Sequence, residues 1–387
     1  MRESNMKKIT VAVLAALAAP AIASAAQVEV FGKVDLGLLY THTDAGVGSS
    51  EDTLALSSGN FLASRFGLKG SEKISDTTTV GFLLENGFQA DSGAMNQTGR
   101  LFDRGSWLFV RDTNAGELAA GRIGILRSSA ADYSYFLLGA RISPFGSGWS
   151  AVGSPMYVTP FFGVLKDNTL SYVSPSMNGV KVHVQYAMGD NEENKSSSDR
   201  YYGAAVTYDN SNFQLVALLD TLNEKSYSTA TKQTNDAHDA WTLTLGGNMT
   251  FGWGKAYAWG QYFEDANTLM GLPGLSSYKP FQNLDRIKGW TASTAVSFPF
   301  AGGDIMAQAS YLNADYKDDL SAAAKAATGD ELSRYVFSMG YRYHLSKTLK
   351  LYAAGTYYKD VVDNTGAGAG FKNPSVVQLM GGLCYFF

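Results

Sequence analysis

Cysteine is nearly missing from this 387-residue chain, with Cys384 its only example. No disulfide can form within the chain, and no cysteine cluster can hold a metal. Charge is sparse as well, at 17% of residues, and its sum is -4. A net acidic chain without a basic stripe is not built to bind nucleic acid. The four histidines, His42, His183, His238 and His344, are scattered, and no nucleophile motif surrounds them. Catalysis therefore finds no support in the sequence. Neither a Walker loop nor a GxGxxG in strand-helix context occurs, and Gly366-Ala367-Gly368-Ala369-Gly370 reads as a flexible loop tip. Beyond residue 26 no run approaches the roughly eighteen apolar residues of a membrane-spanning helix. If this chain enters a bilayer, it enters as strands.

What is abundant fits that route. The sequence holds 41 Gly, 21 Phe and 22 Tyr against its low charge, a composition that suits a barrel with tight turns and two aromatic interfaces. Lys7 and Lys8 precede the apolar run Thr10–Ala23, which ends in Ala23-Ser24-Ala25, the small-x-small pattern of a secretory cleavage site. Residues 1–25 are read as a signal peptide and 26–387 as the mature protein, with translation starting at Met1 or at Met6. A membrane anchor would need a longer uninterrupted span.

From Gln27 onward the side chains alternate with period two, which puts successive residues on opposite faces of a strand. Val28, Val30, Val34 and Leu36 share one face, while Glu29, Lys33 and Asp35 share the other. The pattern recurs at Arg65–Lys69, Val180–Tyr186, Trp241–Leu245 and from Gln378 to Phe387. A soluble sandwich could alternate in the same way. The connections argue otherwise, because seven short turns rich in Gly, Pro, Asn, Asp or Ser alternate with eight long loops. The short turns lie at Ser75-Asp76, Asp112–Gly116, Pro175–Gly179, Asp209–Asn212, Gly252–Gly254, Pro299–Gly303 and Leu345–Thr348. The long loops include Thr43–Asn60, Asn223–His238 and Ala266–Arg286. These connections divide about sixteen strands, the even number of a closed bacterial barrel. Aromatics near strand ends, among them Tyr40, Trp107, Tyr201, Tyr202, Trp241, Trp253, Trp259, Trp290, Tyr341 and Tyr352, are expected to form interfacial girdles.

One connection is far too long. About residues 123–167 follow the strand-like runs Arg104–Val110 and Glu117–Arg122 without a clear element of their own, and a structureless stretch of that length is functional or disordered. Tyr133, Tyr135, Phe136, Phe145 and Trp149 are too apolar to stay in water. The segment is expected to fold into the barrel as a constriction, the plainer alternative being a small surface subdomain.

Ser64-Arg65-Phe66-Gly67-Leu68-Lys69-Gly70, Glu85-Asn86-Gly87-Phe88, Arg100–Arg104, Gly116–Arg122, Pro144-Phe145-Gly146 and Asn168–Pro175 together resemble the general trimeric porins of Gram-negative bacteria, the neisserial and burkholderial type. Leu383, Tyr385 and terminal Phe387 resemble the signal read by the outer-membrane barrel assembly machinery. The resemblance implies a sixteen-stranded antiparallel barrel, a homotrimer in outer-membrane lipid and lipopolysaccharide, and passive diffusion of small hydrophilic solutes and ions. It also implies a basic wall of Arg65, Lys69, Arg104 and Arg122 facing a constriction loop. Physical logic agrees, since a charge facing lipid costs about 2–4 kcal/mol at mid-depth and such residues should face the lumen.

The loop departs from the family pattern. No acid follows Pro144, and Asp132 and Asp167 alone supply carboxylates, opposed by Arg141 and Lys166. A weak preference for anions is expected from a wall of Arg and Lys. Loop acids such as Glu51, Asp52, Glu192, Glu193, Asp318 and Asp319 have the chemistry to bind Ca²⁺ or bridging cations, although a solvated face is the plainer reading. Two other functions stand beside a general channel. A substrate-specific channel would use Tyr133, Tyr135, Phe136 and Trp149 as an aromatic slide. A structural or receptor barrel would act through its loops.

Overall fold

The computed structural model describes residues 27–48, 50–128, 137–146, 148–149, 152–189, 200–228, 233–266, 269–275, 278, 287–316, 331–362 and 372–387. The signal peptide expected at 1–25 lies outside these residues. So do Asp132, Tyr133, Tyr135, Phe136, Glu192, Glu193, Asp318 and Asp319.

The period-two text becomes strands. The first nine are β1 (Gln27–Asp44), β2 (Glu51–Ser58), β3 (Arg65–Lys73), β4 (Thr78–Gly87), β5 (Gly105–Asp112), β6 (Gly116–Gly124), β7 (Leu165–Val173), β8 (Val180–Ala187) and β9 (Arg200–Asp209). The remainder are β10 (Phe213–Ser228), β11 (Gln233–Phe251), β12 (Gly254–Ala266), β13 (Ile287–Phe300), β14 (Gly303–Tyr316), β15 (Glu331–His344), β16 (Leu349–Val362) and β17 (Ser375–Phe386). Two short pieces, helix α1 (Gly139–Ile142) and a 3-10 turn (Pro155–Val158), lie in the long connection after β6.

Seventeen segments make sixteen wall positions. Both β2 and β3 run antiparallel to β1, β2 against Leu36–Thr43 and β3 against Gln27–Lys33. They are two lengths of one stave, parted at residues 59–64. Asp35 holds the break: its carboxylate accepts the Phe61 and Leu62 N–H groups at 3.4 and 3.2 Å, and its backbone N–H donates to Ser64 Oγ at 3.0 Å. Gly59, at φ +74°, makes the turn that sends Phe61 and Leu62 inward. The sheet then closes on itself, β17 pairing with β1 from Lys33↔Phe386 to Asp44↔Ser375. Closure satisfies the backbone within the wall, which is what hydrocarbon demands of a sheet.

The faces follow the expected phase. Val30, Leu108 and Met339 are more than 60% exposed on the outside, whereas Asp35, Arg65, Asp220 and Arg334 are almost fully enclosed on the inside. All seven short turns appear where the sequence places them, joining consecutive strands. Two of the expected long loops are shorter. Thr43–Asn60 contains β2, and the region Asn223–His238 is mostly the ends of β10 and β11; polar, Gly- and Ser-rich text disguises strand that rises past the apolar band. The aromatic girdle divides. Tyr202, Trp253 and Trp290 do face outward, with Tyr202 stacked on Tyr186 at 5.0 Å and Trp253 on Phe251 at 5.3 Å. Trp107, Tyr201, Trp259 and Tyr352 are buried on the inward phase and serve the interior instead.

Candidate pore constriction

The wall cations come together around carboxylates. Arg65 on β3 and Arg104, just before β5, both reach Glu85 Oε1 on β4, at 3.4 and 2.9 Å. The Arg65 Nε also donates to the Ala63 carbonyl at 2.9 Å. Two strands on, Arg122 donates to Asp167 Oδ1 at 2.5 Å and to the Asp103 carbonyl at 2.7 Å. Arg100 joins it, reaching both Asp167 oxygens at 2.8 and 2.7 Å. Like charges this close are tolerable only because carboxylates are interleaved with them. Lys69 stands apart, half-exposed and paired with Glu29 at 3.0 Å.

Three of the four expected wall residues thus lie in two neighbouring clusters, on Glu85 and on Asp167, which the sequence did not foreshadow in full. Arg100 and Glu85 lie within the quoted motifs, but nothing in their spacing marks them as charges of the site. Asp167, expected to face the wall cations from the loop, lies instead within β7 and binds them directly. A charged side chain within an alternating strand was the available signal for Glu85.

The long connection does fold inside the barrel. Its described parts run from Ile125 and Leu126, fully buried, to Phe162. They are held largely by wall side chains donating to loop carbonyls. Asn248 donates to Arg141 O at 3.0 Å, Gln308 to Gly153 O at 3.0 Å and Thr291 to Val158 O at 2.5 Å, while within the loop Arg127 donates to Pro160 O at 2.8 Å. A loop placed inside a barrel must have its backbone polar groups satisfied in this way. Ser143 also bonds Gln308 by its hydroxyl.

Each described loop residue has a defined place. Arg141, in α1, pairs with Asp209 at the end of β9. Gly146 permits the sharp return after Pro144 and Phe145, because a Cβ there would sit 1.9 Å from the Gly139 carbonyl oxygen. Phe145 and Trp149 are fully buried. Trp149 packs at 4.8 Å from Phe61, 5.4 Å from Phe145 and 5.9 Å from Tyr352, so it anchors the loop rather than lining a path. On the short-turn side of the loop lies a cleft of about 410 Å³ lined by Ala140, Pro144, Lys255, Tyr257, Asp304 and Arg342. Its Asp304 is shared by Arg342 at 2.9 Å and His344 at 2.7 Å.

The last strand directs Leu383, Tyr385 and Phe387 outward, each about half exposed, while Cys384 on the alternate phase is buried near Asp35. Among the described residues no group of three or more His, Cys, Asp or Glu is arranged to hold a metal ion. Asp52 is engaged by Tyr40 at 2.6 Å and His42 at 2.8 Å.

Residues 10–363 match the model of a family described as Gram-negative porin. The chain is 28% identical to an outer membrane porin protein of Bordetella pertussis, over 93% of this chain and 98% of the relative. The fold superposes on an anion-selective porin from Comamonas acidovorans with TM-score 0.68 at 23% identity, covering 94% of this chain and 100% of that one. It also superposes on an outer membrane protein of Vibrio cholerae solved in its trimer form, with TM-score 0.61 at 18% identity, covering 94% and 100%.

Proposed function

Because the chain belongs to the Gram-negative porin family and so forms a channel in the outer membrane, we propose that it is a general diffusion pore with a weak preference for anions. One observation carries the preference. Around β3 to β7, Arg65 and Arg104 share the carboxylate of Glu85, and Arg100 and Arg122 share that of Asp167. Each carboxylate is shared by two cations, which leaves a small positive excess. A fixed charge of that size in a water-filled lumen biases ion entry without binding any one ion tightly. The anion-selective porin from Comamonas shares the fold and is consistent with this reading.

The working unit is a homotrimer in lipid and lipopolysaccharide, a reading supported by the trimer form of the Vibrio protein. Passage is passive, so solutes are sorted by size and charge and no reaction is required. The use of Trp149 as an aromatic slide for a specific solute is not favoured, since its ring is enclosed.

A planar-bilayer measurement under a salt gradient tests the charge reading. The wild-type channel should show a steady open current with a reversal potential on the anion side. In Arg104→Gln/Arg122→Gln that potential should move toward cations. An unchanged potential would remove the basic wall from the account.

A further inference from the structure

The constriction loop is not alone inside the barrel. In the β12–β13 connection, Leu269, Leu272 and Tyr278 are each less than 8% exposed, and Met270 and Leu275 pack on the same cluster. That cluster includes Tyr157 and Val158 of the constriction loop and the inner-wall residues Leu332 and Val376. Apolar side chains that turn inward here leave water just as those of the first loop do.

Three contacts fix the position of this segment. Leu269 forms an antiparallel bridge with Pro160 of the constriction loop. Arg334 on β15, fully enclosed, makes a bidentate pair with Asp360 on β16 at 2.7 and 2.8 Å. The Nη1 of the same guanidinium donates to two carbonyls, Tyr157 O of the first loop and Met270 O of the second, each at 2.7 Å. Tyr278 completes the group, its hydroxyl donating to Asp360 Oδ2 at 2.8 Å. Burial, followed by the Asp360 charge, pushes the Tyr278 hydroxyl well above its ordinary value, so it remains a donor across the physiological range.

The segment then crosses to the far side of the closure seam. Gly274, at φ +79°, lies so near β1 that a Cβ added to it would be 2.8 Å from Thr43 Cγ2 and 3.0 Å from Thr41 Cγ2. Thr41 and Thr43 are buried, and Thr41 accepts a bond from Gln378 at 3.2 Å. From its roots on β12 and β13 the segment therefore reaches past β14 to β17 and abuts β1. Only glycine fits that approach.

We infer that residues 269–275 form a second, fixed narrowing of the pore, and that Arg334 is the positioning residue that clamps both inward loops to the wall. This rests on the diffusion-pore reading above. The segment covers the β14–β17 side of the lumen, so it sets the upper size of admitted solute together with the first loop. Bulky neutral solutes, such as oligosaccharides, are the class it would exclude.

Two measurements test this. First, residues 269–275 are replaced by a Gly-Ser stretch and the trimer is reconstituted. Single-channel conductance is read beside liposome swelling with arabinose, sucrose and raffinose. The inference expects conductance to rise by about half or more, and sucrose and raffinose to enter faster relative to arabinose. Unchanged conductance and sugar order, in a channel that still runs as a folded barrel, would overturn it. Second, Pro160→Cys/Leu269→Cys, the bridged pair, in a Cys384→Ser background tests placement without removing the loop. Under mild oxidation an intrachain cross-link should form and leave the current near the wild-type value. Failure to cross-link would place the segment elsewhere and would equally overturn the inference. A wild-type chain with no current at all would instead defeat the diffusion-pore reading, so the two failures are distinguishable.

Discussion

The two sides of this barrel solve one problem differently. From β2 to β9 the strands are eight to ten residues long, whereas from β10 to β17 they run from twelve to nineteen. On the short side the inward charges of β3 to β7 face one another across the surface of the wall, and Arg100 and Arg104 remain partly accessible. On the long side the inward polar groups are covered by loops, and their hydrogen bonds go to loop carbonyls. An inward charge is therefore not a functional assignment in itself. Where it stays accessible, as at Arg100, it is placed to meet passing ions; where a loop covers it, it becomes a fastener.

The largest test of that contrast is Asp360→Ala. It strands Arg334 in a site that is 0% exposed on both partners, and breaking such a buried pair costs about 3–5 kcal/mol. Urea unfolding of the reconstituted barrel should show the loss, and Asp360→Asn, which keeps an acceptor for Arg334 and Tyr278, should lose less. A loss no greater than that of a half-exposed pair would erase the distinction between the two sides.

Asp167→Asn should act on permeation more than on stability. It frees Arg100 and Arg122 from their shared, partly accessible carboxylate, and the anion-to-cation permeability ratio should rise by roughly twofold, the effect of one screened charge at channel distances. A fall in that ratio would show that the short side does not set the selectivity. The smallest effect is expected at Lys69→Gln. The Lys69–Glu29 pair is 38% and 62% exposed, so its loss should cost less than about 1 kcal/mol, seen as an unfolding midpoint close to wild type.

Much of the architecture could be read from the chain because period-two alternation is local. Val28, Val30, Glu29 and Lys33 state their faces within a few residues, and the seven tight turns carry their own chemistry. The constriction loop was legible for the same reason, since its length and apolar content could not otherwise be reconciled. The second inward segment was less visible. Leu269, Leu272 and Leu275 are spread among Gly, Pro and Ser in an ordinary-looking loop, and their partners on β15, β16 and β1 lie tens to hundreds of residues away. A clue was present even so. Arg334 shares its strand face with Leu332 and Val336, and Asp220 shares one with Leu218 and Leu222; a charge among apolar neighbours on the inward phase marks a covered wall. The division at residues 59–64 had no comparable clue, because the Asp35 carboxylate that holds it comes from the neighbouring stave.

The seam between β1 and β17 has a kinetic consequence. Gly32 and Phe387 exchange both backbone hydrogen bonds there, joining segments at opposite ends of the described chain. Any partly assembled arc would leave two rows of bare amides and carbonyls in hydrocarbon, at several kcal/mol per group. No such arc can rest within the bilayer, so insertion and zipping of the ring must proceed together. With partners this remote in sequence, that event belongs among slow folding steps.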